Sequence, residues 1–357
     1  MQNLSAIIRI SLSCVISACA VLFSLYNISA NAPFSFISVA KTETAAVQQQ
    51  VPASTLTTPS PPDEEPDKEM QPQDIVSSKI DTATLSQQAA EAAANSTVSG
   101  KIIERFISPY TAKNSYKNVY LKNNTDLTVD IKPLLEAKLG FTIEKNSQPQ
   151  VLILHTHATE SFIFHDLDYY TAADSSRTTD QNKNMIALGA TVADALNAAG
   201  IKTIHDTTLH DHPSYNESYS RAADTICSYL EKYPSIKVVI DLHRDAIAAD
   251  DTDKVKVTTE IDGKKAAQIM LVMGSQSGSV KNFPDWQENL KLALKLQQTA
   301  ETMYPSLARA ITLMPKNYNE SLTKGSLLIE IGTDANTFDE ALYSSQLLGN
   351  ILVKLLG

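Results

Sequence analysis

Cysteine is scarce in this sequence, with three in 357 residues and no C-x-x-C pair. That excludes a disulfide-stapled scaffold and a thiolate zinc site. Cys14 and Cys19 fall inside an N-terminal apolar run, so the remainder keeps only Cys227, expected as a core residue of a helix, and forms no internal disulfide. Basic excess is also missing. Lys plus Arg number 30 against 40 Asp plus Glu, a formal net charge of −10, which has the wrong sign for a nucleic-acid binder. No G-x-S-x-G, Walker A, G-x-G-x-x-G or H-E-x-x-H motif occurs, so a serine or cysteine nucleophile has no support. What is present is a 43% apolar fraction with 20% charge, enough for a sizeable core and incompatible with wholesale disorder.

The N-terminus has the composition of a membrane signal. Leu4 to Ile28 carries one charge, Arg9, and Ile10 to Tyr26 is a run of 17 uncharged residues, close to the minimum for a spanning helix. The early cations predict a cytoplasmic N-terminus, a single-pass anchor and an extracytoplasmic remainder. Ala30-Asn31-Ala32 offers a cleavage alternative. Residues 41 to 100 then hold six prolines, nine acids, three bases and no aromatic, the composition of a flexible spacer, with weak helical character around Leu85 to Ala94. The expected organisation is a signal or anchor over 1–30, a disordered linker over 31–100, a small β-rich lead-in over 101–148 packed on the main unit, and a catalytic domain over 149–357.

From Pro149 onward short apolar runs alternate with helical periodicity. Val151 to Leu154, Ile201 to Ile204, Ile236 to Leu242 and Ser326 to Ile331 read as buried strands. Met185, Leu188, Val192, Ala195 and Ala199 recur at helical spacing, Trp286 to Met303 is a helix stopped by Pro305, and Thr337 with Glu340 has capping-box spacing. Asp262-Gly263 marks a hairpin between Lys254–Ile261 and Ala267–Met273. Together these predict an α/β fold, a mostly parallel twisted sheet with helices on both faces.

The chemistry-bearing residues cluster at strand ends, where open α/β sheets build their sites. All seven histidines lie between 155 and 243. In VLILHTHATES a strand runs into His155 and His157, and His157 has H-x-x-E spacing to Glu160, so imidazole and carboxylate share a face of a helical turn. His243, just past another apolar strand, completes a His, Glu, His set, the donor types of a catalytic zinc with an open position. His155 is the alternative first ligand, since residues two apart in a strand share a face; it otherwise contacts substrate or supports the site. Glu330, a lone carboxylate in LLIEIG, is the candidate base, with Asp334 as a weaker competitor. Asp241 is placed to orient His243. His205, His210 and His212 read as solvated, with His210 the strongest exception.

HTHATES, HDTTLHDHPSYNESYSRA, IDLHRDA, YPSLARAI, YNESLTKGSLLIEIGTDANT and the EALYSS helix, in this order, resemble the stage II sporulation protein P family. The resemblance spans residues 100 to 357; Ser306 departs from the usual Gly. It implies a hydrolase-like fold of the zinc-amidase type and an N-acetylmuramoyl-L-alanine amidase using Zn2+, with cross-link cleavage as a second activity. It implies peptidoglycan as substrate, action in septal thinning and engulfment, and a place on the mother-cell side of the sporulation septum. The implied partners are the lytic transglycosylase stage II sporulation protein D and an associated membrane protein. The zinc ligands then fall on His157 or His155, Glu160 and His243, with Glu330 catalytic and Arg244 and Arg309 near substrate. A carboxypeptidase-like wall peptidase and a non-catalytic wall-binding module are the alternative readings.

Overall fold

The computed structural model describes residues 81–357. In chain order these form α1 (Thr82–Ala94), β1 (Val98–Arg105), β2 (Asn114–Tyr116), β3 (Val119–Asn123), α2 (Ile131–Glu136), β4 (Val151–Leu154), β5 (Tyr169–Thr171), α3 (Met185–Ala198), β6 (Thr203–His205), α4 (Ser218–Lys232), β7 (Val238–Asp245), β8 (Lys254–Ile261), β9 (Lys264–Ala267), β10 (Ile269–Gly274), α5 (Trp286–Met303), β11 (Ile311–Met314), β12 (Ser326–Thr333) and α6 (Phe338–Leu356).

Eight strands form one sheet in the order β2-β3-β11-β10-β12-β7-β4-β6. The alternation of residues along its central strands sorts side chains between two faces. Val151 and Ile153 of β4, Val238, Ile240 and Leu242 of β7, and Leu327, Ile329 and Ile331 of β12 join one core with residues of α3, α5 and α6. Leu152, Leu154 and Val239 point the other way and pack on Ala222 and Ile226 of α4. A strand buried on both faces reads as a continuous apolar run, which is why VLIL is apolar throughout. Each such fully buried side chain contributes about 1.5–3 kcal/mol. Asp241, His243 and Glu330 have the parity of the α4 face, and their strands deliver them there.

The mixed α/β class matches the expectation; the strand directions match in part. β12, β7, β4 and β6 run parallel to one another, as do β10, β11 and β3, but β10 meets β12 antiparallel. Parallel neighbours need a crossover, and the chain entering β10 has none. It enters directly from the β8–β9 hairpin, whose Asp262-Gly263 turn holds positive φ at both residues. The expected strand Ala267–Met273 is divided at Gln268, whose buried amide binds both the N–H and the C=O of Ile107. β8 and β9 belong to a second sheet of order β5-β1-β8-β9, which strand periodicity did not foretell.

Three further expectations are corrected. The linker expected to reach residue 100 contains α1 and the start of β1; the ladder from β1 to β5 and β8 offsets the cost of ordering a polar segment. The anchor expected over residues 4–28 lies outside the described residues. Among the described residues no helix is long and apolar enough to cross a membrane, so the expected single-pass membrane localisation has no support among them. Cys227, expected in the core, stands on the exposed side of α4.

Candidate active site

β4 ends at Leu154, and His155 keeps the parity of Val151 and Ile153. Its ring therefore enters the α3 face, where Nδ1 lies 3.1 Å from the Leu242 carbonyl and Nε2 lies 2.9 Å from Nε2 of His205. The two rings meet edge to face beside Gly189 of α3, where a Cβ would come within 2.5 Å of both Nε2 atoms. Burial pushes His155 down to about 4 and holds His205 well below the imidazole range. With both rings neutral, His155 donates to the carbonyl and His205 donates to His155.

Residues 156–159 form a turn and carry His157 round to the other face. There its ring stands edge-on to His243 with centroids 5.3 Å apart. Glu160 follows, its Oε2 3.7 Å from His243 Nδ1 and accepting the Arg244 backbone N–H at 3.2 Å. Asp241, two residues before His243 on the same face of β7, brings Oδ1 within 2.9 Å of His243 Nε2, off the line of a hydrogen bond. The N–H and O–H of Thr156 hold the same carboxylate at 2.8 and 2.6 Å. Burial opposes charge on all three groups, but His243 sits between two carboxylates, which hold it well above the imidazole range. Burial likewise raises Glu160 and Asp241, and the imidazole and the N–H groups outweigh it, so both stay below the ordinary carboxylate range. His157, with burial and the neighbouring His243 cation against it, is lowered.

Glu330 lies across the strand pair from His243, its direct register partner on β12. Its buried Oε2 has no hydrogen-bond partner, and burial pushes the carboxyl up to about 8. Asp334, four residues on, is instead bound to Lys254 at 2.8 Å. Arg309 grips Asp245 Oδ2 through both terminal nitrogens at 3.0 Å, leaving its buried Nε unpartnered. The Arg244 guanidinium is taken up by the carbonyls of Ser161, Ser176 and Asp245, so it braces the loops around Glu160.

The donor types of His157, Glu160 and His243 fit zinc. Two donors on one tetrahedral zinc lie about 3.4 Å apart, close to the 3.7 Å between Glu160 and His243. A carboxylate behind the far nitrogen of a metal-binding imidazole, as Asp241 stands behind His243, supports such a ligand. As the side chains stand, no group of three or more His, Cys, Asp or Glu among the described residues is arranged to hold a metal ion. The set fits in type and in one spacing.

Several residues around this cluster escaped sequence reasoning. The Tyr215 ring stacks on His157 at 4.6 Å, and Arg177 lies over Tyr215 at 4.9 Å. Arg177 also binds Asp211 at 2.6 Å and Glu160 at 3.4 Å. Tyr219, in the first turn of α4, stacks on His243 and meets His157 edge to face. The signal lay in SYNESYS, where Tyr215 and Tyr219 are spaced four apart. His205 and His210 are not solvated residues: His210 binds the His155 carbonyl at 2.9 Å and Thr225 at 3.0 Å, pinning α4 to the end of β4.

A family model described as stage II sporulation protein P matches residues 33–353. Stage II sporulation protein P of Bacillus subtilis (strain 168) is 30% identical over 201 residues, which cover 53% of this chain and 47% of that protein. The match thus spans about half the length of the curated relative. Among solved structures, the catalytic domain of an endolysin targeting Clostridia difficile is similar at TM-score 0.36 and 16% identity, covering 58% of this chain and 97% of that one. An N-acetylmuramyl-L-alanine amidase from Mycobacterium abscessus gives 0.34 and 11% over 58% and 96%. The CwlD amidase from Clostridioides difficile, solved in complex with the GerS lipoprotein, gives 0.34 and 10% over 58% and 95%.

Proposed function

The chain belongs to the stage II sporulation protein P family of sporulation proteins, and from that premise we propose that it is a zinc-dependent peptidoglycan hydrolase. The bond cut is the amide between N-acetylmuramic acid and L-alanine of the stem peptide, with peptide cross-links as a second target of the same site. The observation that carries this reading is Glu330: a buried carboxyl with an unpartnered oxygen, in register with His243. His157, Glu160 and His243 would hold the ion, with His155 set apart in the core. Zinc bound there supplies Lewis acidity toward the amide carbonyl and the attacking water.

The chain's own groups do the rest. Glu330 takes a proton from the attacking water and returns it to the leaving amine of L-alanine. Its pKa of about 8 leaves it mostly protonated near pH 7 without the ion; positive charge brought beside it lowers that value and frees the base. Asp241, 2.9 Å from His243 Nε2, is the carboxylate placed to orient the His243 ring. The unpartnered Arg309 Nε–H is the donor available to the carbonyl oxygen as it gains charge. A carboxypeptidase needs a free arginine for the substrate's terminal carboxylate. Here Arg177 and Arg244 are already bound to carboxylates or carbonyls, and Arg309 pairs both terminal nitrogens with Asp245, keeping only its Nε–H, which favours the amidase. In this reading the activity serves septal thinning and engulfment, with the transglycosylase stage II sporulation protein D as the partner that the resemblance implies.

The test is mass spectrometry of peptidoglycan digested by the full chain with zinc. Free stem peptides and glycan strands bare at the lactyl group are expected. Products cut only within the peptides would make the chain an endopeptidase, and undigested glycan would make it a binding module.

A further inference from the structure

The YNES stretch, residues 318–321, has no role in the chemistry above, yet its backbone is unusual. Tyr318 and Asn319 are consecutive non-glycine residues in the left-handed region, with φ of 52° and 60°. Such residues persist where surrounding structure over-determines them. Here the turn is welded to its neighbours. Glu320, fully buried, accepts the Gly274 N–H at 2.8 Å through Oε2, and its carbonyl accepts Asn289 Nδ2 at 2.7 Å. A Cβ at Gly274 would come within 2.5 Å of the Lys316 carbonyl oxygen, so the turn lies directly on the end of β10.

From this fixed base the turn reaches across to α4. Asn319 Nδ2 donates to the carbonyl of Tyr219 at 2.7 Å, a contact 100 residues distant in sequence, and the Tyr318 ring leans on the Tyr219 ring at 6.2 Å. At this end of α4 the N-cap residue Glu217 makes no side-chain capping bond. The held residues are the ones that touch the cluster. Ser218 Oγ lies 3.4 Å from His157 Nδ1. Tyr219 stacks on His243 with centroids 6.4 Å apart and meets His157 edge to face at 5.7 Å.

We propose that Asn319 is a positioning residue for the His157 and His243 imidazoles, acting through the Tyr219 carbonyl and ring. The turn is the anchor, α4 is the arm, and Ser218 and Tyr219 are its two points of contact. This rests on the reading that both imidazoles bind zinc. Supporting groups behind metal ligands are typically worth about 10- to 100-fold in metal affinity, and a residue acting on two ligands together should fall in that range.

The experiment titrates zinc into the metal-free full chain against a chromophoric chelator. Asn319→Gly keeps the left-handed backbone without strain and removes the amide. Asn319→Asp keeps the shape and presents an oxygen that cannot donate to the carbonyl. Both should weaken zinc binding about tenfold or more while the Tm of the metal-free protein moves by only a few degrees. In a Ser218→Ala, Tyr219→Ala background, Asn319→Gly should add less than about twofold, because both points of contact are already removed. Wild-type affinity in both Asn319 variants would overturn the positioning role, whatever their Tm. So would an equal loss with and without the Ser218 and Tyr219 side chains. A wild-type chain that binds no zinc would overturn the zinc reading itself, and the proposal with it.

Discussion

His155 and His157 stand two residues apart in one strand-end segment and have opposite surroundings. His155 faces the α3 side of the sheet, where a carbonyl and a second neutral imidazole satisfy both of its nitrogens and burial drives its pKa to about 4. His157 is carried by a four-residue turn to the α4 side, among His243, Glu160 and two tyrosines. Residue type and strand position are shared; what differs is whether the chain is still extended. Strand parity delivers a histidine to the core, and one turn beyond the strand end delivers the next to the candidate active site. Burial by itself makes an imidazole a neutral packing group, and carboxylate company makes it a site residue.

The comparison is sharpened most strongly at Glu330, the carboxyl on the His243 side of the sheet. Glu330→Gln keeps the size of the side chain and removes its ability to accept a proton. Peptidoglycan hydrolysis should fall by about 10² to 10⁴ with zinc content unchanged, read by muropeptide release and metal analysis on the same sample. Loss of zinc together with activity would make Glu330 a ligand, and near wild-type release would remove it from the mechanism.

A smaller effect separates the two sides of the sheet by pH, in the metal-free protein. Glu330 has its folded pKa raised from 4.5 to about 8, so the folded chain binds the extra proton and this group's contribution to stability declines as pH rises through that window. Relative to wild type, Glu330→Gln should gain stability from pH 5 to pH 8, by up to a few kcal/mol on the scale of 1.36 kcal/mol per pKa unit. His155 behaves oppositely. Its pKa is depressed from 6.5 to about 4, so its contribution is complete above pH 6.5 and is lost as pH falls toward 4. Thermal melts of wild type and Glu330→Gln across pH 4 to 8 check the Glu330 window; a difference that is flat with pH would contradict the burial of Glu330.

Much of this was legible locally. The bounds of α5 followed from its amphipathic run between Asp285 and Pro305, and the Thr337–Glu340 capping box forms as spaced. VLIL, VVIDLH and SLLIEIG read as buried strands because the sheet is covered on both faces. What the chain does not write locally is partnership. The antiparallel entry of β10 depends on a hairpin held by a second sheet, and β1 begins in a stretch whose composition is that of a spacer. In the site, His205 and His210 read as solvated because their partners, His155 and Thr225, come from other elements. Arg177, Tyr215 and Tyr219 meet the cluster only through tertiary contacts. The choice between His155 and His157 turned on where β4 ends, a boundary that periodicity places only to within a few residues.

The most direct test is therefore the zinc content of two variants, His155→Ala and His157→Ala, of the metal-loaded full chain, each checked for folding by circular dichroism. The account predicts that His157→Ala stays folded and loses most of its zinc. His155→Ala should retain zinc in whatever fraction folds and melt lower, because His205 loses its partner in the core. Zinc retained by His157→Ala and lost by folded His155→Ala would place the metal on the other side of the sheet and contradict it.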